Sequence, residues 1–419
     1  MAIRLNTRQS WPGAEMFRAA ILTVFAGVAM LSGGSDFGPV VSPTKDTVTA
    51  TLSYQETGQS VINWSLYVTP QTTPFKKEPP VSPSHLVRGV LNFGDGPSNA
   101  IPFLWQRDAG KLFLDLNRNQ DLTDDPAGAF STGLRAPLSY QTFTNVHLAF
   151  NTAQGRIQVS ADLNFWDYGD RPGGSMSVRS YWQGKVTLQG QDWQVGVIPT
   201  IGSGIKGNKN ISIETGHLLL RPWENREQAF NAYGGSLDTV PFSQKLFFGG
   251  HAYQLNLQTG SADGEFRPAL DFLEQPAALG DLKITGKYIK RLMLPGNNYL
   301  AILDHPAGTV KVPAGNYKQP SVLLEKGGIE ASSTADPWQS DTKIVVTADG
   351  KVPAVLDLGG PLTNSVAVAR HGRDLRLDYR LIGAGGVTYQ LVAQDRSQPP
   401  EFAVYRGDKQ IASGKFEFG

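Results

Sequence analysis

Oxygen-bearing side chains recur at every second position from Asp115 to Thr123, and a further carboxylate follows at Asp125. A hard cation such as calcium takes about six to eight oxygen ligands. A loop that curls around one point turns every second side chain inward, so one short segment can supply most of them. The spacing therefore predicts a structural calcium site, with the ligands Asp115, Asn117, Asn119, Asp121 and Asp125.

This segment resembles the calcium loops of EF-hands and especially of dockerins, whose pattern is D-x-[DN]-x-[DN]-G. Asp115, Asn117 and Asn119 match the first three ligand positions of that pattern. Asp121 matches the position that provides its backbone carbonyl. Together with its leading strand, the segment is also similar to one in uncharacterised secreted bacterial β-rich proteins, where a strand precedes a D-x-N-x-[ND]-x-DLTDD loop. This second resemblance implies a related fold and does not imply any reaction.

The segment departs from the EF-hand pattern in three ways. Gln120 replaces the glycine that makes a sharp left-handed turn, and Pro126 stands where a bidentate acid closes the loop. Asp124 or Asp125 would have to close the site one or two positions early. The preceding element, Lys111–Leu114, has the pattern of a strand. We therefore expect a strand-flanked clip that stabilises a domain, because no pair of helices flanks the loop to move on binding.

A plain turn rich in Asn and Asp is the alternative to a metal site, because these side chains hydrogen-bond their own backbone and tolerate left-handed conformations. Against it stand four carboxylates within eleven positions, which repel one another. Arg118 supplies only one positive charge inside the segment. Calcium is favoured for this reason, and magnesium fits less well because it prefers few protein ligands and retains water.

Aromatic residues offer a second source of function. Aromatic faces stack on the apolar faces of sugars, and Asn164–Gly174 sets Asp167 and Asp170 beside Trp166 and Tyr168. Tryptophan in a β-protein is more often buried than exposed. The candidates outside this stretch are Trp105, Trp182, Trp193 and Trp223.

Signatures of several enzyme classes are missing from the sequence. The six histidines show no H-x-x-x-H spacing, and no G-x-S-x-G motif occurs. Gly202–Lys209 lacks the Lys-Ser/Thr ending of a phosphate loop, so we interpret it as a flexible loop. The sequence contains no cysteine, which excludes disulfides, thiolate metal sites and cysteine nucleophiles.

The elements that must position these residues are predicted to be strands. Arg156–Trp166 alternates apolar and polar residues with period two, which is typical of a half-buried antiparallel strand. Helix is predicted only at Pro222–Tyr233, with one or two turns at Pro268–Gln275. The Pro-containing stretch Thr69–Ser84 is predicted to be an exposed linker.

The N-terminus has the order of a secretory signal. Three arginines precede the apolar run Ala19–Leu31, and small residues follow at Ser32–Ser35. The run is shorter than the roughly 20 residues that span a bilayer, although a membrane anchor remains the alternative. Lys and Arg number 38 and Asp and Glu number 37, so the near balance argues against a nucleic-acid partner.

Composition and pattern together predict an all-β protein of tandem antiparallel sandwich or barrel-like modules, with an immunoglobulin-like or prealbumin-like C-terminal sandwich and very little helix. The predicted segments are a signal peptide (1–34), an N-terminal β segment and Pro-rich linker (35–84), a central β-rich domain with the calcium-type loop (85–295), a β-rich connecting segment (296–342) and a C-terminal β-sandwich (343–419).

The function expected from these features is that of an exported, non-enzymatic structural or binding protein of the cell envelope, periplasmic or extracellular, with a calcium-stabilised β-domain. We expect no membrane span after removal of the signal, and a polysaccharide or an envelope protein as the partner. The alternative is a carbohydrate-active protein, either a glycoside hydrolase or a binding module, that uses an aromatic-lined groove.

Overall fold

Strands dominate the computed structural model of the chain, in which 66% of residues are in strands and 3% in helix. The all-β prediction is therefore confirmed. Within the described residues, no helix is both long enough and apolar enough to span a membrane. The structure describes residues 2–6, 47–93, 99–133, 139–152, 155–167, 172–201, 211–230, 235–260, 266–334, 343–372, 374–392 and 400–416.

The described strands are numbered in chain order. The first sixteen are β1 (Ala2–Asn6), β2 (Thr47–Thr51), β3 (Ser53–Glu56), β4 (Ile62–Pro70), β5 (Leu86–Asn92), β6 (Ala100–Gln106), β7 (Lys111–Leu114), β8 (Ala129–Ser131), β9 (Tyr140–Thr152), β10 (Gly155–Asp167), β11 (Pro172–Val178), β12 (Ser180–Leu188), β13 (Gln191–Thr200), β14 (Ser212–Pro222), β15 (Thr239–Pro241) and β16 (Lys245–Phe248).

The remaining sixteen are β17 (His251–Gly260), β18 (Arg267–Gln275), β19 (Leu279–Ile284), β20 (Ile289–Pro295), β21 (Leu300–Asp304), β22 (Gly308–Pro313), β23 (Gly315–Tyr317), β24 (Ser321–Lys326), β25 (Ile329–Ser333), β26 (Ile344–Val346), β27 (Ala354–Leu356), β28 (Thr363–His371), β29 (Asp374–Ile382), β30 (Thr388–Leu391), β31 (Glu401–Arg406) and β32 (Lys409–Lys415). Short 3₁₀ turns occur at Pro126–Gly128, Trp223–Asn225 and Ala384–Gly386.

The chain divides into two compact units, and neither is one continuous stretch. The loop unit, named for the Asp115–Asp125 segment, comprises Thr47–Gln244 and Gln254–Leu273. The C-terminal unit comprises Met1–Asp46, Lys245–Tyr253 and Glu274–Gly419.

Two antiparallel sheets carry the loop unit. One has the order β8-β7-β6-β5-β4-β11-β10-β9 and the other the order β15-β14-β13-β12-β3. The predicted alternation along β10 is present in its first half, where Ile157 and Val159 are buried and Gln158 is exposed. The ring of Phe165 lies 5.1 Å from that of Phe103 and 5.5 Å from that of Trp105, measured between centroids. The sheet that leads into the Asp115–Asp125 segment is thus anchored on a buried aromatic cluster.

The C-terminal unit places the order β16-β21-β20-β24-β25-β30-β29-β28 in its longest sheet. Smaller sheets have the orders β22-β19-β27, β23-β26 and β1-β31-β32. The strands of residues 343–419 pair with earlier ones: β26 with β23, β27 with β19 and β30 with β25. The C-terminal segment therefore shares its sheets, and its hydrophobic core, with residues from 245 onward.

Both helix predictions were wrong. Strand β14 continues to Pro222, which pairs with Trp193 of β13, and only the 3₁₀ turn Trp223–Asn225 follows. The backbone after β14 is tied to that strand, because the buried Arg221 side chain donates a hydrogen bond to the carbonyl of Arg226 at 2.9 Å. Residues 231–233 lie outside the described residues. The second stretch, Pro268–Gln275, belongs to β18, which pairs antiparallel with the distant β2.

The predicted signal peptide, residues 1–34, lies outside the described residues except for β1. That strand pairs antiparallel with β31, with Ala2 opposite Tyr405 and Asn6 opposite Glu401. The loop at Gly202–Lys209 lies outside the described residues as well.

Candidate metal centre

The first predicted ligand, Asp115, lies at the end of β7 and is fully buried. Its Oδ1 accepts the backbone N–H of Asn119 at 3.1 Å, and its Oδ2 accepts that of Gln120 at 2.9 Å. Its own backbone N–H donates to the carbonyl of Pro102 on β6 at 2.9 Å. The two hydrogen bonds that its carboxylate accepts hold the loop backbone close to the end of the sheet. Because both carboxylate oxygens have hydrogen-bond donors, the carboxylate of Asp115 can be buried.

The middle of the loop is a ladder of Asx turns. The side-chain oxygen of Asn117 accepts the backbone N–H of Asn119 at 2.9 Å, and that of Asn119 accepts the N–H of Asp121 at 2.7 Å. Asp121 Oδ1 then accepts the N–H of Thr123 at 2.8 Å. This is the local geometry by which Asn and Asp form turns without a metal.

Two carboxylates close the loop at its far end. Asp125 Oδ2 accepts the backbone N–H of Leu116 at 3.0 Å and, more loosely, that of Asn117 at 3.5 Å. The side-chain amides of Asn117 and Asn119 donate to Asp124 at 3.1 and 2.7 Å. Asp124, which the sequence offered only as a substitute for the closing acid, is thus the carboxylate that joins both amides.

Two loop residues other than glycine adopt left-handed backbone. Arg118 has φ +63° and Gln120 has φ +70°. Gln120 therefore takes the conformation for which the EF-hand pattern keeps a glycine, at a cost of about 1–2 kcal/mol. The hydrogen bond from its N–H to Asp115 offsets that cost.

The electrostatics of the loop differ from one carboxylate to the next. Burial raises the pKa of Asp125, the N–H groups of Leu116 and Asn117 oppose the rise, and the charges of Asp115 and Asp124 add to it. The hydroxyl and backbone N–H of Thr123 instead lower the pKa of Asp121. A cation near Asp125 would relieve the repulsion from its neighbours.

Positive charge also reaches the loop from the predicted linker, Thr69–Ser84. Lys76 Nζ donates to the carbonyl of Asn119 at 3.0 Å, and Lys77 Nζ lies 3.9 Å from Asp121 Oδ2. With Arg118, these lysines set three cations beside the four carboxylates of the loop. The net negative charge available to attract a metal is therefore smaller than residues 115–125 alone suggest.

Backbone and apolar contacts tie the same segment down. The N–H of Lys76 donates to the carbonyl of Gln120 at 2.8 Å, and the N–H of Leu122 donates to the carbonyl of Lys77 at 3.0 Å. Phe75 and Leu122 are buried together against Leu104. Most of the predicted linker Thr69–Ser84 is exposed or half-buried, but the prediction missed that Phe75 is buried against Leu122 of the loop.

All five predicted ligands lie on this loop, and their positions relative to one another are set by backbone N–H groups. Their side-chain oxygens at 115, 117, 119, 121 and 125 each accept at least one of these donors. Within the described part of the chain, no three His, Asp or Glu side chains are grouped as metal ligands. Calcium at this loop stays a prediction.

No protein-family model, no curated protein and no solved structure matches this chain.

The tryptophans predicted to line a sugar-binding groove are mostly inside the protein. Trp105, Trp182 and Trp193 are 0%, 3% and 6% exposed, whereas Trp223 is half-buried. In the Asn164–Gly174 stretch, Asp167 forms an ion pair with Arg107, and residues 168–171 lie outside the described residues. The aromatic-groove hypothesis therefore loses three of its four candidates outside that stretch.

Proposed function

We propose that the protein is an exported structural or binding protein of the cell envelope, in which the Asp115–Asp125 loop is a calcium-stabilised clip. This proposal is supported by two kinds of contact between the loop and residues 75–77: backbone hydrogen bonds and the packing of Phe75 on Leu122. A clip of this kind stabilises a domain and takes no part in a reaction.

Side-chain oxygens of the loop have lone pairs that could bind a calcium ion. An amide or carboxylate oxygen has two lone pairs, and the backbone N–H of the Asx turns uses one of them on Asn117 and Asn119. Burial raises the pKa of Asp125, and a calcium ion would offset the smaller contribution to that rise from the charges of Asp115 and Asp124. Because Lys76, Lys77 and Arg118 already offset part of the negative charge, we expect weak binding, with a Kd of about 10⁻⁴–10⁻³ M, as in extracellular modules.

Thermal unfolding tests the calcium clip. At free calcium about ten times the Kd, mass action stabilises the folded state by about 1.4 kcal/mol relative to EDTA. For a unit of this size, that corresponds to a rise of about 3–6 °C in Tm. The substitution Asp125→Asn, at a predicted ligand, should abolish the calcium-dependent rise, whereas Asp374→Asn, at an exposed carboxylate of the C-terminal unit, should preserve it. Identical melting curves in EDTA and in millimolar calcium would refute calcium binding.

Export is tested separately from the metal. The apolar run Ala19–Leu31 is the feature that directs export in this proposal. Replacing Val24 and Val28 with arginine should retain the full-length chain in the cytoplasm of a bacterial host. Fractionation and N-terminal sequencing of the exported form provide the measurement, and unchanged export of the double variant would contradict the proposal.

A further inference from the structure

A groove with a volume of about 570 Å³ opens on the surface of the loop unit. It lies between the end of β3, the turn at residues 57–59, the side chain of Gln183 on β12 and the segment Trp223–Phe230 that follows β14. This volume is typical of pockets that take a small organic ligand, roughly 300–1,000 Å³. None of its lining residues belongs to the Asp115–Asp125 loop.

Amide side chains make up much of the groove wall. Each amide offers both donors and an acceptor, so a wall of this kind complements a ligand whose groups also do both. Hydroxyl groups are such groups, and a ligand that carries many of them would find partners along the groove. The amides are those of Gln55, Gln59, Gln183 and Gln228.

The charged side chains that line the groove, one guanidinium and two carboxylates, already have partners. Arg226 Nε lies 3.2 Å from the carboxylate of Glu227. Glu56 Oε1 accepts the hydroxyl of Tyr54 at 3.1 Å and lies 3.2 Å from His147 Nε2. An anionic ligand would meet the two carboxylates, and a cationic one would meet the guanidinium. The groove therefore suits an uncharged ligand.

A buried polar network fixes the floor of the groove. Gln183 Oε1 accepts the hydroxyl of Tyr181 at 3.1 Å and also the amide of Gln194. Gln194 is fully buried, and its oxygen accepts Arg221 Nε at 2.6 Å, with Arg221 itself 1% exposed. Because its oxygen is engaged inside the protein, Gln183 has its NH₂ as the end that can donate into the groove.

The apolar part of the wall is held in place as well. The ring of Trp223 has Arg226 Cζ at 5.1 Å and Lys185 Nζ at 5.5 Å from its centroid. Phe230 packs edge-on against Tyr181, with 5.0 Å between the ring centroids. Phe230 and Tyr181 are buried, so the half-buried ring of Trp223 provides the surface for the C–H groups of a ligand, and a ring held in this way loses little conformational entropy on binding.

We propose that this groove binds a neutral oligosaccharide. Sugars combine many hydroxyl groups with apolar C–H faces and no charge, which matches the amides, the half-buried ring of Trp223 and the already hydrogen-bonded charged groups of the wall. The inference names a ligand class for the binding role proposed above, and it does not depend on calcium at the loop.

A glycine in the groove provides the test. A Cβ added at Gly58 would meet no atom within 4 Å, so Gly58→Phe should fold normally while its ring occupies the groove. Gly133, also in the loop unit, has the same open surroundings and does not line the groove, so Gly133→Phe is the matched control. Unfolding curves should be the same for both variants and the parent protein.

Binding is measured by saturation-transfer NMR and calorimetry with maltotriose, cellotriose, xylotriose and triacetylchitotriose, in EDTA and again in calcium. We expect at least one of these trisaccharides to bind the parent protein and Gly133→Phe equally, and at least tenfold more weakly to Gly58→Phe. Three results would overturn the proposal: no binding to the parent protein, equal binding to Gly58→Phe, or binding only of an acidic oligosaccharide such as trigalacturonate. Because sugar binding should be the same in EDTA and in calcium, its outcome is independent of whether the Asp115–Asp125 loop binds calcium.

Discussion

The Asp115–Asp125 loop and the groove at Gln183 differ in how their polar groups are held. In the loop, side-chain oxygens accept N–H groups two to nine positions away, so the loop largely builds itself. In the groove, the decisive bonds join β12, β13 and β14, and the lining comes from positions as far apart as 55 and 230. The structure of the loop should therefore persist when residues outside it are substituted. Binding in the groove, by contrast, should be weakened by substitutions in the sheet beneath it.

The largest effect is expected from Asp115→Ala. This change removes the acceptors of two backbone N–H groups and empties a fully buried site, which should lower the free energy of unfolding by about 4 kcal/mol. Urea denaturation measures the loss. If the variant folds, its trisaccharide affinity should equal that of the parent protein, and a parallel loss of affinity would show that the two regions are coupled. The exposed Asp374→Ala should change stability by less than about 0.5 kcal/mol.

The groove should respond to Arg221→Met, which keeps the length of the buried side chain and removes its donors. Gln194 and the carbonyl of Arg226 lose their partners, so we expect a loss of about 3 kcal/mol in the free energy of unfolding. Unlike Asp115→Ala, this change should also weaken trisaccharide binding, because Gln183 is no longer held through Gln194. Calorimetry on the folded variant measures that effect, and Arg376→Met, at an exposed arginine, is the control. Undiminished affinity would argue against the role of the network.

Close packing at the base of the loop gives a smaller effect. A Cβ at Gly128 would lie 2.3 Å from the carbonyl oxygen of Leu114, whereas one at Gly133 would meet nothing within 4 Å. Gly128→Ala should therefore cost about 2 kcal/mol of stability and Gly133→Ala close to none. Equal denaturation midpoints for the two variants would show that the end of β7 can move away without penalty.

The same contrast explains what the sequence could predict. The period-two pattern of Ile157 and Val159 identified a strand, and the alternate oxygens identified the loop, because both signals are local. The role of Lys76 and Lys77 was missed, since their contact with the loop spans more than forty positions. The groove was missed for the same reason, and Pro222–Tyr233 was predicted as a helix because the pairing of Pro222 with Trp193 leaves no local mark.

The smallest effect concerns the pH dependence of the loop. The pKa of Asp125 is raised in the folded protein, so its ionisation opposes folding: stability is greater below its unfolded pKa and falls as pH rises through the folded value. Asp125→Asn carries no such charge. Its stability relative to the parent protein, measured in EDTA by urea denaturation between pH 4 and pH 8, should therefore improve as the pH rises. In calcium at pH 8 the order should reverse, since the ionised carboxylate becomes a ligand. A difference that is independent of both pH and calcium would place Asp125 in a purely structural turn, built like the rest of the ladder by its own backbone.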